Sequence, residues 1–301
     1  MVSFRYICQI AALLLPLSAL SQQHFPKVIP AGNYSSICTL GDSRYAVVSD
    51  KSAEDGFFVL RIDVDTLRRR ITSMTNEGFR SAAKPNSDLE GICFFPPRQT
   101  LFIASESSGE ILEYALDGTP TGRRLPTDTT KLAQQKAYGL EALTYDAGRH
   151  RFFATTERPL RGDSLLQIWT FDDDLRPSTV YHYHPDAPIS RKYYHGVAEL
   201  CALSDGRLLV LERQIRIPRL KIGAKTIIRL YEISPSDESM LQKRLVAEFT
   251  TRLTLTSRKF ANYEGLCEVA PGLIMLIADS QNQYRGVLRD WIKLLTIEKK
   301  Y

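Results

Sequence analysis

From Tyr34 onward, short apolar runs recur between clusters of Gly, Pro, Asp and Ser, the pattern of buried strands joined by tight turns. The runs Tyr45 to Asp50, Leu101 to Glu106, Phe152 to Glu157, Leu208 to Glu212 and Leu273 to Asp279 each follow a turn such as Gly41-Asp42-Ser43, Pro96-Pro97-Arg98, Asp146-Ala147-Gly148 or Ser204-Asp205-Gly206. Ahead of each turn stands a related segment: Tyr34-Ser35-Ser36-Ile37-Cys38, Asp88-Leu89-Glu90-Gly91-Ile92-Cys93, Gly139-Leu140-Glu141-Ala142-Leu143-Thr144, Val197-Ala198-Glu199-Leu200-Cys201 and Asn262-Tyr263-Glu264-Gly265-Leu266-Cys267. With Ser36 as the first anchor, the steps to Glu90, Glu141, Glu199 and Glu264 are 54, 51, 58 and 65 residues. Periods of this size in a strand-rich chain point to propeller blades.

A third strand is expected over Ile111 to Leu116, Leu165 to Phe171, Ile227 to Ile233 and Trp291 to Ile297, and a weaker fourth over Thr179 to Tyr183 and Arg244 to Phe249. Four strands per unit make one blade. The fold class is therefore all-β, a single β-propeller of five blades by repeat count, or six if two units are merged. The last unit ends after its third strand, while Lys27 to Pro30 has no unit of its own, so an N-terminal strand is expected to complete the last blade and close the ring.

At 301 residues with 44% apolar content the chain has enough material for a proper core, and a composition break that would divide it is absent. Arg5, the apolar run Ile7 to Leu20 and the small residues Ala19 and Ser21 read as a signal peptide over residues 1–21, leaving a mature domain over 22–301. A membrane anchor is the alternative, disfavoured because the run is short and broken by Pro16. Export to the periplasm or beyond is the resulting expectation. Loss of Arg5 takes the formal charge from +5 to +4, too modest for a nucleic-acid partner. Basic clusters at Arg68 to Arg70 and from Arg213 to Lys225 could receive an anionic substrate or stand as solvated loops.

Once Cys8 leaves with the signal, Cys38, Cys93, Cys201 and Cys267 share one repeat position. Equivalent sites in separate blades are usually too far apart for a disulfide, so buried thiols are expected, with two bridges as the competing reading.

The sharpest chemistry lies in carboxylates paired across each hairpin: Glu90 with Glu106, Glu141 with Glu157, Glu199 with Glu212, and Glu264 with Asp279, while the first unit offers Asp50. The start of one strand and the end of the next meet at one edge, so every pair shares one face of the propeller. Lining the axis, they would form a partial ring at the mouth of the central channel. Two carboxylates about 7 Å apart repel by roughly 2 kcal/mol at an effective dielectric of about 20, so such a ring requires a cation, protons or arginines. Calcium fits an all-oxygen set, with Asp50, Glu90, Glu106, Glu157, Glu212 and Asp279 as candidate ligands. Glu90, Glu141, Glu199, Glu264 and the nearby His195 are the candidates for acid or base work. Arg158 and Arg213, each directly after a ring acid, offer the structural alternative.

The order of Ser87-Asp88-Leu89-Glu90-Gly91, Leu101 to Glu106, Gly139 to Leu143, Leu208 to Arg213 and Asn262 to Leu266 resembles the phytase-like, "esterase-like activity of phytase" family over nearly all of the mature chain. The resemblance implies a propeller with an esterase or phosphoesterase activity acting on a small anionic or ester substrate. A lactonase-like propeller with one channel metal is chemically close, and a non-catalytic binding or scaffold propeller of the cell envelope is the rival.

Three louder signals carry less. Gly162-Asp163-Ser164-Leu165 spells a serine-hydrolase signature, and Arg161-Gly162-Asp163 an adhesion motif, but both fall in a turn between strands. His182 and His184 alternate on an outermost strand, where a half-exposed polar face is expected.

Overall fold

The computed structural model describes residues 22–134, 139–236, 238–280 and 289–298. The expected signal segment 1–21 lies outside the described residues. Among the described residues, twenty strands form five antiparallel four-stranded sheets. Blade one holds β2 (Tyr34–Gly41), β3 (Arg44–Ser49), β4 (Glu54–Asp65) and β5 (Arg70–Pro85). Blade two holds β6 (Leu89–Phe95), β7 (Thr100–Ser105), β8 (Ile111–Ala115) and β9 (Pro120–Leu125), and is followed by the short helix α1 (Thr129–Ala133). Blade three holds β10 (Leu140–Asp146), β11 (Arg151–Thr156), β12 (Leu166–Asp172) and β13 (Pro177–Tyr183). Blade four holds β14 (Tyr194–Ala202), β15 (Leu208–Arg216), β16 (Lys225–Ile233) and β17 (Lys243–Arg252). Blade five joins β18 (Asn262–Ala270), β19 (Leu273–Asp279) and β20 (Trp291–Thr296) to the N-terminal β1 (Gln22–His24).

The blades number five, and the ring closes through β1, whose residues Gln22 to His24 pair with Lys293 to Trp291. The closing strand lies earlier than Lys27 to Pro30. First strands meet in a closed cycle, β2 to β6 to β10 to β14 to β18 and back to β2, and so line the axis. Five apolar clusters lie one between each pair of neighbouring blades, and a smaller sixth gathers Ile215, Ala224, Leu253 and Phe260 at blade four. Ile37 packs toward blade five, Ile92 toward blade one and Leu143 toward blade two, while residues of opposite parity face the next blade. This alternation is the period of two read from the sequence, and it buries both faces of every blade. The outer hairpin of blade one, with strands of 12 and 16 residues, was not legible as a repeat element.

All five inner strands carry a β-bulge at the same place, between Tyr34 and Ser36, Leu89 and Ile92, Leu140 and Ala142, Val197 and Glu199, and Tyr263 and Gly265. A bulge leaves its extra residue out of the ladder and re-aims its side chain. The bulge residues are Ser35, Glu90 with Gly91, Glu141, Ala198 and Glu264.

Candidate functional site

The bulge and the strand that follows it build two layers at one mouth of the channel. The deeper layer is Ser35, Glu90, Glu141, Ala198 and Glu264. Register then fixes the outer layer as the residues next to Ser49, Ser105, Thr156, Glu212 and Ala278, which pair with the residue before each bulge. Those neighbours are Asp50, Glu106, Glu157, Arg213 and Asp279. Backbone bonds repeat here as well: Asp50, Glu106 and Glu157 N–H donate to the carbonyls of Asn33, Asp88 and Gly139 at 3.2, 2.8 and 3.1 Å.

Blade four breaks the pattern twice, and both breaks correct the sequence reading. Arg213, not Glu212, occupies the outer-layer position. Glu212 is on the opposite face of β15, where Oε1 accepts from Tyr183 Oη at 2.5 Å and Lys243 Nζ at 2.7 Å, and Oε2 accepts from the Asp186 amide at 2.8 Å. It is a clasp for the connector between blades three and four and is not a ligand of the mouth.

Glu199 is likewise not the counterpart of Glu90, Glu141 and Glu264. It follows the bulge, at the position that holds Ser36, Gly91, Ala142 and Gly265 elsewhere. Those small residues leave room on the axis, which the Glu199 side chain fills at 1% exposure. Its Oε2 accepts from Ser36 Oγ in blade one, and Oε1 accepts from the amides of Leu200 at 3.0 Å and Leu143 at 3.4 Å. Ser36 Oγ accepts in turn from the Ile92 amide at 3.2 Å. Ile92, Leu143 and Leu200 are equivalent positions, so the pair satisfies inner-edge amides of three blades. Glu199 plugs the channel below the carboxylate layers, and burial pushes its carboxyl well above the usual range.

Arg213 reaches over the deeper layer. Its Nη2 lies 2.8 Å from Glu264 Oε1, 3.4 Å from Glu141 Oε1 and 3.5 Å from Glu157 Oε1. Burial opposes its charge, but these acids together with Asp279 outweigh that and hold the guanidinium charged. Asn262 Nδ2 adds 2.7 Å to Glu264 Oε1 and 3.4 Å to Asp279 Oδ2. Glu141, Glu157, Glu264 and Asp279 are all buried in this clamped sector.

The sector at blades one and two is open. Asp50, Asp88, Glu90 and Glu106 keep partial exposure. Carboxylate oxygens of Asp50, Asp88 and Glu90 lie within 4.8 Å of one another. Lys51 Nζ lies 2.8 Å from Asp50 Oδ2 and 3.0 Å from Asp88 Oδ1, with half of its side chain exposed. Asp50 Oδ1 is buried, and the Asn33 side chain hydrogen-bonds the same carboxyl.

Eight carboxyl groups thus converge, and the cations acting most strongly on them are Arg213, Lys51 and Arg158. The imbalance shows in their protonation. Burial, then Glu264, Asp50 and Glu106, push Glu90 well up. Burial and Glu90 do the same to Glu141. Burial lifts Glu264 to about 7 against the pull of Arg213. Asp50, Glu106 and Glu157 are raised by burial too.

His195 stands on the blade-four rim, its carbonyl accepting from Arg158 Nε at 2.9 Å. Burial and Arg158 lower its pKa, so the imidazole is neutral at neutral pH. Ser164 is exposed in the turn between β11 and β12. His182 pairs with Gln167 on the outermost strand and His184 Nδ1 meets its neighbour's carbonyl, so neither joins a metal cluster among the described residues.

A five-bladed propeller whose axial mouth is lined by two layers of acids is the class that this geometry defines. The sequence profile of the family described as "Phytase-like: Esterase-like activity of phytase" matches residues 29–280, and the chain belongs to that family. No curated protein matches the chain in sequence. Among solved structures, a luciferin-regenerating enzyme is similar at 9% identity over 93% of this chain and 97% of that one, with a TM-score of 0.49. The PQQ-bound aldose sugar dehydrogenase of Streptomyces coelicolor is similar at 12% identity over 93% and 98%, also with a TM-score of 0.49.

Proposed function

We propose that the protein is an exported, metal-assisted hydrolase of ester or phosphate-ester bonds, with a calcium-type cation held in the open sector of the carboxylate mouth. The observation that carries this reading is the surplus of buried and half-buried acids over cations at one point of the axis. Oxygen atoms bound to one calcium at about 2.3–2.6 Å are at most about 5 Å apart, which the Asp50, Asp88 and Glu90 oxygens satisfy. The Lys51 ion pair engages Asp50 through Oδ2, which leaves Oδ1 as the donor oxygen toward a cation. Asp50, Asp88 and Glu90 would hold the ion, with Glu106 beside them.

When bound, the cation would supply Lewis-acid polarisation of a substrate ester or phosphoryl oxygen. The chain's own residues do the rest. Lys51, released from its two carboxylates, is a mobile cation able to bind an anionic substrate group. Arg213 keeps the deeper acids ordered and supplies positive potential behind them. Glu264, poised at about 7, and neutral His195 are groups able to exchange a proton near neutral pH. Glu199 is behind the ring, bonded on both oxygens, and in this reading it positions strands and takes no part in proton transfer.

The test is hydrolysis of phytate, a nitrophenyl phosphate and a nitrophenyl acetate by the purified mature chain, each with added calcium and with EDTA. Calcium-dependent turnover on at least one substrate is expected. Absence of turnover on all three under both conditions would favour the binding-propeller reading.

A further inference from the structure

At the mouth opposite the acids, all four cysteines of the mature chain stand around one cavity of about 470 Å³. Cys38, Cys93, Cys201 and Cys267 are register equivalents, two residues past the position of Ser36, Gly91, Glu199 and Gly265, and Thr144 holds the fifth place. All four are free thiols. Their strands β14, β18, β2 and β6 are successive neighbours around the axis, so the four thiols occupy consecutive places on the ring.

Part of their role is structural. Thr144 Oγ1 accepts the amide of Ala202 in the next blade at 3.0 Å, and the amides of Phe94 and Glu268 meet the sulfurs of Cys38 and Cys201 in the same way. A hydroxyl performs that clasp in blade three, so the clasp alone does not call for sulfur. What sulfur adds is soft-donor character, concentrated at four of five places on one cavity wall.

We propose that this thiol collar is a binding site for a soft, monovalent, closed-shell cation of the copper(I) or silver(I) kind, bridged between neighbouring thiols. Among the described residues no three thiols meet within 4.8 Å, which disfavours a four-coordinate zinc site, and copper(I) and silver(I) accept two sulfur ligands. The surroundings are apolar, with Ile37, Ile92, Leu143, Leu200 and Leu266 beside the thiols, and a singly charged ion with one thiolate leaves the site neutral. Binding of each ion displaces one S–H proton to solvent, and the second sulfur binds as a thiol. Cys38, the least buried of the four, is the entry point.

The experiment presents copper(I), as its coloured bicinchoninate complex under anaerobic reducing conditions, to the folded mature chain and measures metal retained after desalting. Wild type is expected to retain at least one copper(I) per chain, the Cys38→Ser/Cys267→Ser variant to lose at least tenfold in affinity, and Thr144→Cys to hold more than wild type. Serine keeps the clasp acceptor, and the melting curve checks that each variant folds. Glu90→Gln should retain copper(I) as wild type does, which separates this site from the carboxylate mouth. No copper(I) retained by folded wild type, or undiminished retention in the double serine variant, would overturn the proposal.

Discussion

Arg213 Nη2 sits 2.8 Å from Glu264 Oε1, joining the outer layer of blade four to the deeper layer of blade five. The guanidinium stands where the other four blades place a carboxylate, and it is the reason that half of the mouth is closed. Removing one partner from such a buried set leaves uncompensated charge, which costs far more than the pair contributes. Arg213→Met should therefore destabilise the chain by about 3–5 kcal/mol in urea unfolding at pH 8. The loss should shrink at pH 5, where Glu264 takes up a proton. Equal losses at both pH values would mean that packing, not charge, explains the effect.

The pH dependence of the wild type follows from the same acids. Glu264 is raised to about 7 in the fold, and burial pushes Glu90 and Glu141 well above the usual carboxylate range. A carboxyl with a raised folded pKa holds its proton in the fold after the unfolded chain has lost it, so its stabilising contribution is full below the unfolded pKa and fades as pH climbs through the folded one. The melting temperature in EDTA should fall between about pH 5 and pH 8. Calcium should flatten that fall, with its affinity rising over the same range because protons and the cation compete. A melting temperature that rises with pH in EDTA would contradict the assignment of the mouth as proton-loaded.

Glu199 gives a test of position within the channel. Glutamine keeps an acceptor for the Leu143 and Leu200 amides, whereas alanine orphans both amides and the Ser36 hydroxyl. Glu199→Gln should cost at most about 1 kcal/mol and Glu199→Ala about 2–4 kcal/mol in denaturant unfolding. Turnover by Glu199→Gln should stay within a few-fold of wild type. A collapse of turnover in that well-folded variant would return Glu199 to the catalytic set.

Glu212 separates clasp from ligand. Glu212→Gln should lower stability by about 1–3 kcal/mol through the loss of the Lys243 charge pair while leaving the melting response to calcium unchanged. Loss of the calcium response with stability intact would reverse that assignment.

Five blades, their four strands and the shared edge of the acids were legible because each rests on local pattern, the alternation within strands and the turns between them. The second strand of blade five runs from Leu273 to Asp279 as expected. Blade four was misread by one residue on each inner strand, although a signal was there: the anchor acid precedes Cys93, Thr144 and Cys267 by three residues, but Glu199 precedes Cys201 by two. Anchoring the alignment on cysteine puts Ala198 in the bulge and Arg213 in the ring. The bond from Ser36 to Glu199 and the reach of Arg213 to Glu141 were not legible, since they join residues 163 and 72 apart in sequence and depend on ring closure. Asp88 escaped notice because its place beside Asp50 and Glu90 is set by the loop before β6.

The measurement that bears most directly on the central claim is a calorimetric titration of the EDTA-stripped mature chain with calcium at pH 8, run beside Glu90→Gln and Glu199→Gln. The account predicts one saturable site in wild type, retained in Glu199→Gln and weakened at least tenfold in Glu90→Gln. Wild type without binding heat and with a melting temperature unmoved by calcium, or equal binding in all three chains, would contradict a cation held by the open sector of the mouth.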